Sequence, residues 1–201
     1  MKFLFLFVAL SFFGIAHSQG AGGIFVEPMI TFEKGSGDVN FPAPIDSSDT
    51  QIDGFGVGAR FGFHIFESIF LGLDGRYSMP QFNDSSLDQK IQATSWNYGP
   101  VVGLQMPTSL ALRVWAGYIF DGMLDPDKDK NVDEKFSEAN GYRIGAGIKL
   151  SIVSLNLEYQ NINYDKTDIR EIGIFNPGYR TSNIHLDTAA WVLSASLPIS
   201  F

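Results

Sequence analysis

The sequence predicts an all-β chain that folds as an eight-stranded antiparallel transmembrane β-barrel. Three observations predict it. Apolar and polar residues alternate with period two in eight segments, which is the pattern of strands with two different faces. The apolar face of these segments carries no charge, while the opposite face carries glycines, small polar residues and all the strand charges. Short and long connections also alternate, as they do in barrels whose apolar face meets lipid.

The predicted strands are bounded by glycine, proline and polar residues, and we leave ten strands open as an alternative count. They are Ile24–Glu33, Gly54–Ile65, Ile69–Met79, Ser95–Met106, Leu110–Asp121, Gly141–Leu150, Val153–Ile162 and Ala189–Phe201. Pro28 and Pro100 fall inside strands, where each removes a ladder donor, so they predict bulges. The remaining polar stretches, including 34–53, 122–140 and 165–188, are interpreted as long acidic loops.

The first 18 residues read as a secretory signal peptide. Met1-Lys2 is a short positive region, Phe3–Ala16 is an apolar run, and Ala16-His17-Ser18 offers a cleavage site. The apolar run is shorter than the ~20 residues that a membrane-spanning helix needs. The predicted domains are therefore a signal peptide over 1–18 and a barrel over 19–201.

Composition excludes several classes of function. The chain has 201 residues and a net charge of −8, which argues against nucleic acid as a partner. It has no cysteine, so disulfides, thiolate zinc sites and cysteine nucleophiles are excluded. No cofactor is predicted.

Charged residues on the polar face predict an ion-pair network inside the barrel. An eight-stranded barrel has an interior that side chains can fill. Five basic and five acidic residues face inward in the predicted strands, and such a balance suits a closed interior where an unpaired charge is costly. The predicted network contains Glu27, Arg60, Asp74, Arg76, Arg113, Asp121, Arg143, Lys149 and Glu158, with Glu33 as the fifth acid. We expect a plugged lumen, with a narrow gated pore for ions or small solutes as the alternative.

Aromatic residues on the apolar face gather near the ends of the strands that lead into the long loops. This distribution predicts an aromatic girdle at one lipid–water interface. Its members are Phe32, Phe55, Tyr77, Trp96, Tyr98, Tyr118, Phe120, Tyr142, Tyr159 and Trp191.

These features together resemble the small bacterial outer-membrane barrels, such as the transmembrane domain of outer membrane protein A and the outer membrane protein X group. The closing residues Leu197, Ile199 and Phe201 resemble the C-terminal assembly signal of that family. The resemblance implies insertion by the outer-membrane assembly machinery and contact with outer-membrane lipid and lipopolysaccharide. It also implies a monomer with periplasmic termini and extracellular long loops.

One acidic segment offers a candidate site for calcium binding. Oxygen ligands alternate along it, as in an EF-hand loop, but position six is Val132 where glycine is required. The candidate ligands are Asp127, Asp129, Asn131, Asp133 and Glu138.

The expected role is structural or a surface interaction with an unspecified ligand, without catalytic residues. A second alternative is an enzyme that modifies lipid A, since some barrels of this size do so with a histidine, a serine and an acid. Only His64 and His185 follow the signal peptide, and His185 is the one that could meet Asp84 and Ser85.

Overall fold

The fold is a closed antiparallel barrel without helices among its described residues. The computed structural model describes residues 23–44, 46–66, 68–84, 89–108, 110–128, 132–172 and 178–201, so the predicted signal peptide lies outside them. The strands are β1 (Ile24–Asn40), β2 (Ser48–Ile65), β3 (Ile69–Asp84), β4 (Gln89–Gln105), β5 (Leu110–Ile119), β6 (Asp121–Pro126), β7 (Val132–Leu150), β8 (Val153–Ile172), β9 (Tyr179–Thr181), β10 (His185–Ser196) and β11 (Ile199–Ser200). In this part of the chain there is no helix long and apolar enough to cross a membrane.

Eight wall strands close the barrel, as predicted. Each strand pairs with the next in sequence, and β1 closes the ring by pairing with β10 from Met29–Ser196 to Asn40–His185. β5 and β6 follow each other along one wall strand, as do β10 and β11. The short β9 only extends β8 as a hairpin. Closure leaves the wall no free edge and satisfies its backbone groups internally, which lipid requires.

The strands extend much further than predicted at one end of the barrel. β1 has 17 residues and β8 has 20. Seventeen residues rising about 3.3 Å each, tilted by about 40°, span ~43 Å, against an apolar band of ~25 Å. Most of the polar stretches 34–53, 122–140 and 165–188 are therefore strand, and their interpretation as long loops was wrong. We call the part of the barrel beyond the aromatic residues the outer extension; it contains the strand residues of 34–53, 122–140 and 165–188.

The polarity of the wall inverts where the outer extension begins. Below that level Ile30 and Val57 are exposed on the outer surface, while Glu27 and Arg60 are buried inside. In the outer extension the outward residues are polar and the inward ones form an apolar cluster. That cluster, the outer plug, consists of Val39, Ile52, Phe82, Ala93, Ile119, Leu124, Phe136, Ala139, Ile162, Tyr164 and Leu186. At one end the barrel therefore exposes apolar side chains, as a surface in lipid does, and at the other end it exposes polar side chains, as a surface in water does.

A bulge lies opposite Pro100. Val101 pairs with Gly117, and Tyr98 pairs with Asp121, so the two intervening residues of β4 face the three residues 118–120. An extra residue exchanges the two faces of a strand. The predicted irregularity at Pro100 is thus present on the partner strand.

The expected bulge at Pro28 is absent. Pro28 pairs with Ala59 in a register that continues unbroken on both sides. On its other side, Pro28 faces the short break between β10 and β11, where the amide of Leu197 donates to the Pro28 carbonyl at 3.0 Å. Proline is tolerated here because only one neighbour needs a donor from this position.

Candidate functional site

The centre of the barrel interior holds two carboxylates shared among three arginines. Asp74 on β3 accepts from Arg60 Nε at 2.7 Å, Arg76 Nε at 2.9 Å and Arg143 Nη1 at 3.0 Å. Glu158 on β8 accepts from Arg60 Nη2 at 3.1 Å and Arg76 Nη2 at 2.7 Å. All five side chains are buried, so each charge depends on the others for its stabilisation.

A second pair crosses the interior below this cluster. Arg113 on β5 donates from both terminal nitrogens to the two carboxylate oxygens of Glu27 on β1, each at 2.7 Å. Ser196 adds a hydroxyl donor to Glu27 at 2.6 Å. Arg60 Nη1 lies 3.9 Å from Glu27 and so connects the two groups of charges.

Two of the predicted network residues lie outside these contacts. Asp121 follows the bulge, which turns it away from the interior, and its carboxylate accepts from the amide of Gly122 at 2.8 Å. Lys149 keeps its inward position but lies near the end of β7, and no ion pair forms to it within the described residues. The prediction assumed one unbroken alternation in β5 and equal depth for every inward charge.

Besides Glu33, which was predicted as the fifth acid, neutral interior residues outside the predicted set complete the network. Trp115 donates from Nε1 to Glu158 at 3.0 Å, and the Arg60 guanidinium lies 4.4 Å from its ring centroid. Arg143 donates to Asn97. Glu33 accepts from Ser78 at 2.7 Å and from Gln160 at 3.1 Å, both neutral donors. Each of these residues lies at a position that the alternation along its strand predicts to face inward.

Apolar side chains close the interior on both sides of the charges. Phe25, Phe70, Val101 and Trp115 form a cluster towards the short-turn end, which we call the inner plug. The outer plug closes the opposite end, with Phe41 and Ile184 packed against it. A cavity of about 20 Å³ remains beside Glu33, which is room for about one water molecule. The interior is therefore filled by an inner plug, a charged layer and an outer plug.

The candidate calcium ligands that the structure describes do not gather around a common point: two are held by cations of the chain and Asp127 joins no cluster of acids, while the other two lie outside the described residues. Asp133 is 3.1 Å from Arg170, and Glu138 is 2.6 Å from Lys166. The hydrogen bond from Lys166 lowers the pKa of the Glu138 carboxyl. Asp129 and Asn131 are not described, and the described residues, Asp127 included, contain no group of acids or histidines arranged around a metal. Cations of the chain itself thus hold the two carboxylates that would have closed the loop around calcium.

The predicted girdle residues form ring pairs on the outer surface. Centroids are 4.9 Å apart for Phe32 and Phe55, and 5.4 Å apart for Tyr159 and Trp191. Further pairs join Trp96 with Tyr98, Tyr98 with Phe120, and Tyr142 with Tyr159. Tyr77 and Tyr118 are also exposed on this surface. They all lie next to the level where the polarity of the wall inverts.

The C-terminal residues complete the wall against β1. Ile199 pairs with Val26, and the amide of Phe201 donates to the Ile24 carbonyl at 2.9 Å. Leu197 lies in the break between β10 and β11. The last residues therefore hold the two ends of the described chain together, which makes the final strand the one that closes the ring.

The two histidines lie far apart, at opposite ends of the barrel. His64 packs between Phe25 and Phe70, with ring centroids 4.8 and 6.3 Å away. His185 is exposed at the start of β10, three wall strands from β3. Its suggested partners cannot be placed beside it, because Ser85 and the side chain of Asp84 lie outside the described residues.

Solved structures with a similar fold are outer-membrane barrels. The outer membrane protein OprG from Pseudomonas aeruginosa has a TM-score of 0.52 at 10% identity, covering 88% of this chain and 96% of its own. Neisserial surface protein A has a TM-score of 0.49 at 12% identity, covering 89% and 99%. The outer membrane protease OmpT from Escherichia coli has a TM-score of 0.48 at 10% identity, covering 92% and 99%.

At these identities the likeness concerns the fold alone. A comparison with curated protein sequences finds no match. The family model for the outer membrane protein beta-barrel domain matches residues 5–196, which is nearly the whole chain. The closed barrel with its outward apolar band agrees with this match, and the chain belongs to the outer membrane protein beta-barrel domain family.

Proposed function

We propose that this protein is a non-conducting, non-catalytic barrel that anchors a rigid surface structure in the outer membrane. The observation that carries the proposal is the filled interior, in which the inner plug, the charged layer and the outer plug lie in series. A solute crossing the barrel would have to displace all three. The outer extension, with an apolar interior of its own, then serves as a fixed platform for contacts outside the membrane.

The proposal includes an orientation and a monomeric state. The short turns near Phe66, Met106 and Ile152 face the periplasm together with both mature termini, and the outer extension faces the medium. Apolar side chains dominate the surface below the girdle, and polar ones dominate the surface above it, which fits this orientation. Protease added to intact cells should cut near Gly178 and leave the short turns uncut; cleavage only after the outer membrane is opened would reverse the assignment.

Conductance in a planar bilayer tests the closed interior. The wild-type barrel should give no current steps. Arg113→Ala and Phe136→Ala should each remain silent, because each leaves two barriers intact, whereas a triple variant that also carries Phe70→Ala in the inner plug should conduct. A gel-mobility shift between boiled and unboiled samples verifies that every variant is folded. Steps from the folded wild-type barrel would contradict the proposal and favour the gated pore.

Lipid A analysis tests the absence of catalysis separately. Cells that overproduce the protein should contain lipid A with an unchanged mass spectrum, and His185→Ala should give the same spectrum. A new acylation or deacylation product that disappears in the His185→Ala strain would make the protein an enzyme. This outcome does not depend on whether the interior conducts.

A further inference from the structure

A groove crosses the outer surface at the level of the aromatic girdle. It has a volume of about 550 Å³ and extends across four neighbouring wall strands, β8, β10, β1 and β2. Its lining side chains are Tyr159, Trp191, Ala189, Lys34, Ser36, Gln51 and Asp53. Lys34 pairs in register with Trp191 on one side and with Asp53 on the other, and Ser36 pairs with Ala189 and Gln51. Ala189 is small, and its neighbours on all sides are larger, so the surface is concave at this point.

The membrane-facing side of the groove is aromatic. Trp191 is 57% exposed, and its ring packs edge-on against Tyr159 at 5.4 Å. The indole therefore presents a flat apolar surface at the interface between lipid and water. Aromatic rings in this position suit a ligand with one apolar face and one wet face.

The opposite side of the groove is polar and largely without internal partners. Lys34, Ser36 and Gln51 are exposed, and within the described residues none of their side chains has a hydrogen bond or an ion pair. The Asp53 carboxylate lies 4.0 Å from Lys90 Nζ, so Lys90 partly offsets the negative charge beside Lys34. Two residues further from the membrane, Asp38 pairs in register with Asp49 and Asp187, and this row carries only negative charge.

From this arrangement we propose that the groove binds the phosphorylated sugar headgroup of an outer-leaflet glycolipid. Lys34 binds the phosphate, Ser36 and Gln51 bind sugar hydroxyls, and the sugar ring packs on Trp191. The acyl chains continue down the apolar wall, which begins directly below Trp191. The volume suits a sugar phosphate and is much larger than a phosphate alone needs.

The position of the groove limits what can occupy it. Molecules at the level of the girdle are lipid headgroups, because the apolar band below is in contact with acyl chains. A glycolipid fits better than a phospholipid, since the exposed indole offers more packing surface than a glycerol phosphate can use. The acidic row above confines an anion to the Lys34 side. The inference rests on the proposed orientation, since the reverse one would put the groove in the periplasmic leaflet.

Lipid binding to the purified, folded barrel in detergent tests this inference. The result of this measurement depends neither on the orientation of the barrel in the membrane nor on its conductance. The probes are diphosphorylated lipid A, lipid A without its phosphates, and phosphatidylglycerol, measured by native mass spectrometry. Diphosphorylated lipid A should remain bound at the lowest concentration. Lys34→Gln should weaken its binding about tenfold or more, since one charge-assisted contact is lost and the nearest charged groups include acids. Lys34→Arg should restore it.

Matched variants separate the groove from general charge and hydrophobicity. Lys135→Gln removes the same charge far from the groove on β7, and Tyr118→Leu removes a girdle aromatic from β5; neither should change binding. Trp191→Leu should weaken binding of both forms of lipid A. Equal binding of all three lipids, or wild-type affinity in Lys34→Gln, would overturn the inference. Preference for phosphatidylglycerol would overturn the glycolipid as the occupant.

Discussion

Arg113 and Glu27 join opposite walls of the barrel through two parallel hydrogen bonds of 2.7 Å. Their strands, β5 and β1, are separated by three wall strands in either direction around the ring. A bidentate contact fixes both the distance and the orientation of its partners. The pair therefore acts as a crossbar that holds the cross-section of the barrel near its inner plug.

Breaking this crossbar should be costly, whereas removing both charges should cost less. Arg113→Met leaves Glu27 buried without its main partner, and we expect a loss of about 3–5 kcal/mol in the free energy of unfolding. The double variant Arg113→Met with Glu27→Gln should recover much of that loss. Urea unfolding of the barrel in lipid vesicles, followed by gel mobility, measures both. Lys149→Met, which removes a cation outside the network, should change little. Equal losses in the double and single variants would show that the pair does not act as a unit.

A charged side chain placed on the outward surface should destabilise the barrel only below the aromatic girdle. Val114 faces lipid midway between the short turn and Tyr118, so Val114→Arg should reduce the free energy of folding into a bilayer by ~2–4 kcal/mol. Asn163→Arg places the same side chain outward in the outer extension and should cost less than 1 kcal/mol, roughly the scatter of surface substitutions. Similar losses at both positions would mean that the level of the membrane has been misassigned.

The outer plug should stabilise the outer extension in the way that a core stabilises a soluble protein. Phe136 is fully buried there, and Phe136→Ala should cost about 3–5 kcal/mol through the lost burial and the cavity. Amide hydrogen exchange should rise in the outer extension but not along the lipid-facing band. Tyr179→Ala, at an exposed aromatic residue of the same extension, is the control and should leave exchange unchanged. A uniform rise over the whole barrel would contradict two separately stabilised layers.

The aspartate row above the girdle should make the outer extension sensitive to pH. Partial desolvation, together with the hydrogen bond and charge of Asp49 and the charge of Asp187, raises the pKa of the Asp38 carboxyl. A carboxyl with a raised pKa in the folded state destabilises the fold above that pKa, and the cost disappears as the pH falls through it. Asp38→Asn should therefore raise the transition temperature at pH 7 and have no effect below about pH 3, where the Asp38 carboxyl is protonated in both the folded and the unfolded state. Asp46→Asn, in the connection between β1 and β2, should be neutral at both pH values; a gain from Asp38→Asn that persists at low pH would exclude the charge explanation.

The last residue should matter for assembly. Phe201 donates its amide to Ile24 and closes the wall where β11 meets β1. Deleting Phe201 should lower the amount of folded barrel in the outer membrane, because the resemblance to small outer-membrane barrels implies that the assembly machinery recognises the final strand. Phe66→Ala, at an exposed aromatic residue in the short turn after β2, should leave the amount of folded barrel unchanged. Immunoblots of unboiled outer-membrane fractions compare the two, and equal yields would count against an assembly signal at the C-terminus.

Within the apolar band, the alternation of residues along each strand was sufficient to predict which side chains face lipid and which face the interior. Side chains on a strand alternate strictly, and lipid accepts only apolar groups, so the outward positions of Val57, Leu73 and Val114 and the inward positions of Arg60 and Asp74 followed directly. The same rule failed at Asp121, because Pro100 marks an irregularity in β4 but the extra residue lies in the partner strand, where only the register of the two strands decides its position. It also placed Lys149 on the correct face without showing its depth.

The sequence by itself predicted a wall of eight strands, with ten as the alternative, and determined its lipid face and the residue types of its interior, because these depend on period two and on the solvent outside each strand. Only the tertiary structure decided which charges meet, since Arg113 and Glu27 are 86 positions apart and come together through ring closure. It also decided that the polar stretches beyond the girdle are strands. Their outward residues face water and resemble loop residues, and their apolar inward residues are recognisable as a core only once eight strands bring Val39, Phe136 and Leu186 into contact.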